Sequence, residues 1–133
     1  MTSGRIAGID HVSLPMQDTG AMVAFYRALG FDVTEREPVV SVYAGAQMIN
    51  FHRPVTWQQD HFTLRAPAAK PPCGDLCFVW EGSQESLQTL FRDARAEVIE
   101  GPVARDGGRR AHGSSLYVRD PDGNLLEFIA YGS

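Results

Sequence analysis

The chain of 133 residues is 44% hydrophobic and 21% charged, a composition typical of one globular domain and not of a disordered chain. Its formal net charge of −4 argues against a nucleic-acid-binding surface, and no apolar run approaches the roughly 20 residues that span a membrane. The first ten residues lack the apolar segment of a secretory signal, and the two cysteines, Cys73 and Cys77, make no disulfide framework, so we expect a cytoplasmic protein.

The first half of the chain predicts a strand, a helix and then three strands. A β-branched run ends at Pro15, and apolar residues then recur at the spacing i, i+3, i+4 and i+7, which indicates one face of a helix. Asp18 or Thr19 can cap this helix, and Gly30 can end it. The predicted elements are a strand at 9–14, a helix around 22–29, and strands at 31–36, 39–44 and 47–52.

The second half repeats this order after a connector at 54–73. The connector shows no clear period and contains four prolines, with one short extended piece expected around 62–64. Connectors of this length are often functional, although packing of a long loop is the commoner explanation. The repeat comprises a strand at 75–80, a helix capped by Ser83 around 87–94, and strands at 97–100, 115–119 and 125–131.

This repeat predicts a single α+β domain, 1–133, built from two βαβββ modules. Module one spans 6–53 and module two spans 74–132. Strand alternation places apolar residues such as Leu14 and Phe128 on the faces that the helices cover. The opposite faces then carry side chains with oxygen, nitrogen or sulfur donors, which suit a metal site or acid–base chemistry. These are His11, Ser13, Asn50, His52, Asp75, Cys77 and Glu127.

Three motifs in this order resemble a known family. They are the opening strand Gly8–Leu14, the first helix end Phe25–Phe31 and the closing hairpin Arg119–Glu127. The chain resembles the vicinal oxygen chelate superfamily of glyoxalases, bleomycin-resistance proteins and extradiol dioxygenases, and in particular its small single-domain glyoxalase-domain and virulence-type members. The resemblance implies two βαβββ modules that form a half-open mixed β-barrel with helices on the outer face. It also implies metal ligands on the first and last strands of each module.

Carried over by position, the resemblance implies that His11 and Glu127 hold one divalent metal ion. Asp75 occupies a ligand position where His or Gln is commoner, and Asn50 one where Glu is commoner. His52, two residues after Asn50 on the same face, could substitute for it. The implied metal set is therefore His11, Glu127, His52 and Asp75, with Mn, Fe, Ni, Zn and Mg all left open. Glu127 and Asp75 are also the candidate catalytic groups.

The substrate would meet further side chains of the same cavity. The candidates are Asn50, Cys77, Tyr117 and Arg119, together with Arg109 in the glycine-rich segment 105–113. This segment is either a mobile, solvated hairpin loop or a gate whose arginine binds an anionic substrate. Asp75 could equally be a simple strand-start carboxylate, and Cys77 a small apolar residue of the cavity.

Two functions from different classes follow. The first is a metal-dependent lyase, isomerase or dioxygenase that acts on a small oxygen-chelating substrate, with homodimerisation implied by the resemblance and neither nucleic acid nor membrane as a partner. The alternative is a metal-free protein that binds or sequesters a small molecule or drug in the same cavity. In that protein, His11 and Glu127 would bond to each other or to the ligand. Fold alone does not choose between the two.

Overall fold

The computed structural model describes residues 3–132, which form eight strands and three helices. Module one contains β1 (His11–Pro15), α1 (Thr19–Ala28), β2 (Asp32–Glu35), β3 (Val39–Ala44) and β4 (Gln47–His52). The connector contains α2 (Pro54–Trp57). Module two contains β5 (Asp75–Val79), α3 (Gln84–Asp93), β6 (Glu100–Asp106), β7 (His112–Arg119) and β8 (Leu125–Ala130). None of these helices is both long and apolar enough to cross a membrane.

The two long helices begin and end where the sequence predicts. The Asp18 carboxylate accepts a hydrogen bond from the Ala21 backbone N–H, and the Ser83 hydroxyl accepts one from Ser86. Each side chain satisfies a backbone N–H that has no partner inside the helix. Gly30 follows α1 with φ +91°, a left-handed conformation that only glycine adopts without strain.

Each module forms one four-stranded mixed sheet with the same connectivity. The strand orders are β1-β4-β3-β2 and β5-β8-β7-β6. The first and last strands of each module are parallel neighbours, and the remaining pairs are antiparallel. The two sheets do not close into one hydrogen-bonded barrel. The predicted α+β fold with two βαβββ modules and a half-open arrangement is therefore confirmed.

The core lies on the helix side of both sheets and is shared by the two modules. Phe31 after α1 stacks edge-on against Phe78 of β5, with ring centroids 4.9 Å apart, and Phe128 of β8 contacts Phe91 of α3. The predicted inward residues belong to this cluster, including Leu14, Ile49, Phe51 and Leu126. Because α1 and α3 both pack on this side, neither long helix covers the opposite face of its sheet.

Two predicted elements are wrong. The connector has no strand at 62–64 and instead contains α2, whose first residue is Pro54, a favourable first helical position. The strand predicted at 97–100 is in fact β6, which runs from Glu100 to Asp106 and contains an irregularity between Glu100 and Val103. This edge strand is mostly exposed, so it lacks the alternating apolar pattern that reveals other strands.

Candidate functional site

The open face of module one presents His11 beside a carboxylate. The Nδ1 atom of His11 lies 2.7 Å from Oδ1 of Asp10, and the imidazole side chain is 42% exposed. A histidine that donates its Nδ1–H to a carboxylate leaves the lone pair of Nε2 free, which is the usual arrangement of a metal-binding histidine. With its proton on Nδ1, the His11 ring would keep Nε2 free on the open face.

Asn50 shares this face with His11 and is held by a short chain of hydrogen bonds. The hydroxyl of fully buried Ser41 donates to Oδ1 of Asn50 at 2.7 Å, and Arg36 Nη2 donates to that hydroxyl at 2.7 Å. In the register of β1 and β4, Ser13 pairs with Asn50 and His11 pairs with Met48. His11 and Asn50 are thus diagonal neighbours on adjacent strands, a separation of about 7–8 Å between their Cα atoms.

The open face of module two presents two carboxylates in the corresponding arrangement. Cys77 of β5 pairs with Glu127 of β8, which makes Asp75 a diagonal neighbour of Glu127. The hydroxyl of fully buried Ser115 on β7 donates to Oε2 of Glu127 at 2.6 Å. Metal-binding carboxylates are commonly oriented by such a hydrogen bond.

Cys77 lies between these carboxylates as a protonated thiol. Burial, together with the charge of Glu127, raises the pKa of Cys77 to about 12. A thiol with this pKa is neither a nucleophile nor a ready metal ligand at neutral pH.

The remaining candidate residues of module two differ in where their side chains go. Tyr117 pairs with Glu127 across β7 and β8, and its hydroxyl accepts a hydrogen bond from Arg105 Nε at 2.9 Å. Arg119 instead donates to the carbonyl of Gly123 in the turn, at 3.0 Å. The Arg119 guanidinium is thereby engaged away from the Glu127 carboxylate.

Arg109 lies on the tip of the β6–β7 hairpin. Its guanidinium stacks over the ring of Tyr131 at 4.9 Å, and its backbone N–H donates to the Tyr131 hydroxyl. Arg109 and Cys77 both line a cavity of about 610 Å³ between this hairpin, the β3–β4 turn and β5. The loop that the sequence places at 105–113 is shorter, because β6 extends to Asp106 and β7 begins at His112.

His52 lies at a different place on the module-one face from His11. It is four residues along β4 from Met48, the partner of His11, which is about 13 Å of strand. The His52 ring packs edge-on against Phe62 of the connector, with centroids 5.0 Å apart, and burial together with the charge of Arg65 lowers its pKa. Alternation correctly places His52 on the open face, but the strand register separates it from His11.

The four sequence-predicted ligands do not converge within one chain. Across residues 3–132, no three His, Cys, Asp or Glu side chains lie close enough together to hold a metal ion. The structure instead divides the candidates between two open sheet faces. His11 and Asn50 lie on the first face, and Asp75 and Glu127 lie on the second.

Comparison with known proteins identifies the family. The sequence profile of the Glyoxalase/Bleomycin resistance protein/Dioxygenase superfamily matches residues 8–128. The chain belongs to this superfamily. It is 35% identical to virulence protein STM3117 of Salmonella typhimurium over 125 residues, which cover 92% of this chain and 83% of that protein. It is also 33% identical to the glyoxalase domain-containing protein RDO1 of Mycosarcoma maydis over 129 residues, which cover 95% of this chain and 69% of that protein.

Solved structures of superfamily-like folds agree with this assignment. The crystal structure of STM3117 superimposes with a TM-score of 0.84 at 32% identity and covers 97% of this chain and all of that chain. The integron cassette protein VCH_CASS1 from the mobile metagenome of V. cholerae also gives a TM-score of 0.84, at 28% identity and 98% coverage of this chain and 100% of that chain.

Three residues that contact the candidate site residues were not predicted from the sequence. Asp10 contacts His11, Ser115 contacts Glu127, and Arg105 contacts Tyr117. Asp10 could have been found from its position next to His11. Ser115 and Arg105 act across strands, so their contacts depend on a register that the sequence pattern does not specify.

Proposed function

We propose that this protein is a metal-dependent enzyme of the glyoxalase/dioxygenase superfamily whose site forms between two copies of the chain. The observation that carries the proposal is that His11 and Glu127, on separate open faces, are each hydrogen-bonded to a neighbouring side chain: His11 Nδ1 to the Asp10 carboxylate at 2.7 Å, and Glu127 Oε2 to the Ser115 hydroxyl at 2.6 Å. Side chains oriented in this way need only be brought together to form a site. A second copy would supply the missing face.

The proposed site joins module one of one copy to module two of the other. His11 would supply one nitrogen, Asp75 and Glu127 would supply two carboxylates, and Asn50 would add an amide oxygen or a hydrogen bond to substrate. One nitrogen with two or three oxygens suits Mn²⁺, Fe²⁺ or Mg²⁺ and is compatible with Zn²⁺ or Ni²⁺. A two-fold dimer would contain two equal sites, because each interface element occurs twice.

The reaction class follows from this donor set and the superfamily. A bound ion would act as a Lewis acid toward two neighbouring oxygens of a small substrate. Glu127 and Asp75 are the groups able to accept or return a proton there, while Tyr117 stands beside Glu127 as a hydrogen-bonding partner for substrate. This arrangement suits a lyase, an isomerase or a dioxygenase.

Exposed apolar side chains near both faces favour a second copy as the partner. Ile9, which immediately precedes Asp10 and His11, is 71% exposed, and Val79 at the end of β5 is 45% exposed. Contact with another chain would bury these side chains, and apolar burial is the main favourable term in association. The proposed interface would therefore border both groups of proposed ligands, His11 with Asn50 on one face and Asp75 with Glu127 on the other.

Complementation between two inactive variants tests the proposal. His11→Ala and Glu127→Gln should each remove bound metal from the purified protein while leaving its circular dichroism unchanged. Refolding an equal mixture should restore about one quarter of the wild-type metal content, because half the dimers are mixed and one of the two sites in each is intact. The readouts are elemental analysis and size-exclusion chromatography with light scattering.

Other results would contradict specific parts of the proposal. Metal in wild type without recovery in the mixture would place the site within one chain. Wild-type metal content in Glu127→Gln would make the ligand assignment wrong. A dimer that takes up no divalent ion would favour the alternative, a metal-free small-molecule binding protein, which the cavities of about 610 and 420 Å³ would accommodate.

A further inference from the structure

A second cavity, of about 420 Å³, lies beneath the connector at the carboxyl ends of β1 and β4. Its walls include Ser13, His52, Trp57, Arg65 and Cys73. Cavities of this size bind small organic molecules. The residues that form it come from one chain, and most of them lie outside the motifs that identify the superfamily.

The walls of this connector cavity are held in place by hydrogen bonds to module one and within the connector itself. The indole Nε1–H of Trp57 donates to the carbonyl of Met16 at 2.9 Å, and the hydroxyl of Thr56 donates to the carbonyl of Pro38 at 2.7 Å. The Arg65 guanidinium donates through Nη1 to the carbonyl of Ala69 at 2.9 Å. These contacts fix both the aromatic wall and the cation, so the cavity is preformed.

The cavity carries a positive charge that no carboxylate neutralises. None of the ion pairs found among residues 3–132 involves Arg65, although its side chain is partly buried. Because Nη1 is occupied by backbone carbonyls, Nε and Nη2 of the guanidinium are left for another acceptor. The planar fork of a guanidinium matches the two oxygens of a carboxylate or phosphate.

We infer that the connector cavity binds the anionic end of a small organic molecule, with Arg65 contacting its carboxylate or phosphate and Trp57 packing against its apolar body. Ser13 lies on the cavity wall and is two residues from His11, about 7 Å along β1. A substrate with chelating oxygens at one end would therefore reach this cavity with its other end. This last step rests on the proposed function, whereas the anion site itself does not.

Cys73 on the cavity wall provides a direct test with simple probes. The thiol of Cys73 is free and exposed and lies on the cavity wall, so its reaction with iodoacetamide at neutral pH should report on whether the cavity is occupied. The rate of Cys73 alkylation is measured by peptide mass spectrometry in chelator-treated protein with benzoate, phenyl phosphate or the neutral analogue benzamide. Chelator treatment makes the result independent of the metal proposal.

Benzoate or phenyl phosphate should slow alkylation at concentrations where benzamide does not, and the better of the two identifies the preferred anion. Arg65→Gln should weaken this protection by about tenfold or more. Arg65→Lys should weaken it by less, because the ammonium group keeps the positive charge and loses only the paired contact of the guanidinium with two oxygens. Lys70→Gln is the matched control, since it removes one positive charge from the same connector outside the cavity wall. Equal protection by benzamide, or full protection in Arg65→Gln, would overturn the inference.

Discussion

The hydrogen bond between Ser115 and Glu127 should set the metal affinity of the proposed site. Ser115→Ala removes the hydroxyl that donates to Glu127 Oε2 at 2.6 Å, and it changes the volume of a fully buried side chain very little. A hydrogen bond to a charged group contributes about 1.5–3 kcal/mol. Glu127 is only partly buried, so water can replace some of this contribution.

The lower end of that range, about 1.5 kcal/mol, corresponds to slightly more than a tenfold loss of metal affinity. The assay is a competition titration of Mn²⁺ or Zn²⁺ against a chelating fluorescent indicator, on wild type and variant at equal dimer concentration. The same bond is present without metal, so the free energy of unfolding of the metal-free variant should also fall, and circular dichroism checks that the variant is folded under the titration conditions.

Ser41→Ala is the matched control for this experiment. Ser41 is equally buried, and its hydroxyl donates to Asn50 at 2.7 Å. The substitution therefore removes a matching buried hydroxyl from the face that carries His11 and Asn50. Because Asn50 is a neutral amide, its oxygen is a weaker ligand than a carboxylate, and we expect metal affinity to fall by less than about threefold. Unchanged affinity in Ser115→Ala, or an equal loss in both variants, would refute the assignment of Glu127 as the oriented ligand.

Two further predictions concern titratable groups whose pKa the fold raises. Tyr26→Phe should lower the free energy of unfolding at pH 7 by about 1.5–3 kcal/mol, because the fully buried hydroxyl donates to Asp120 at 2.7 Å. Burial raises the pKa of Asp120, so folding favours its protonated form, and stability from this group falls as pH rises through the folded pKa. Urea unfolding should show a smaller effect of Tyr26→Phe as the pH falls through the pKa of Asp120, because a neutral carboxyl accepts a weaker bond. A loss of stability that does not change with pH would contradict this reasoning. Iodoacetamide at pH 8 should modify Cys73 and spare Cys77, whose pKa burial and Glu127 raise to about 12, and equal labelling rates in peptide mass spectra would make that assignment wrong.

Strands were predictable where one face is buried and the other is not. The bounds of β3 and β4 agree with the predicted 39–44 and 47–52, since both strands alternate and Gly45 punctuates the turn. The edge strand β6 was misplaced because almost none of its side chains is buried. Edge strands carry little apolar pattern, so their position depends on pairing with a neighbour.

The sequence predicts which sheet face each candidate site residue occupies, but it does not predict the distances between those residues. Alternation places His11, Asn50, Asp75 and Glu127 on the open faces, and the register of each parallel pair agrees with that. The same alternation makes His52 look equivalent to Asn50, although it lies farther along the strand from His11. How the two sheets face each other depends on tertiary packing around the shared core, which a local pattern does not encode.

The division of the site between two faces separates the two proposals physically. The connector cavity is built from residues between Ser13 and Cys73 of one chain, so anion binding needs no partner. In the proposed site, metal binding would require His11 from one copy and Glu127 from another, so it should depend on protein concentration through the dimer equilibrium. A change that breaks the dimer, such as a charge at Ile9, should therefore abolish metal binding while Cys73 remains protected by benzoate. If one chain binds the anionic end and two chains bind the metal, as proposed, a substrate that spans both would itself stabilise the dimer.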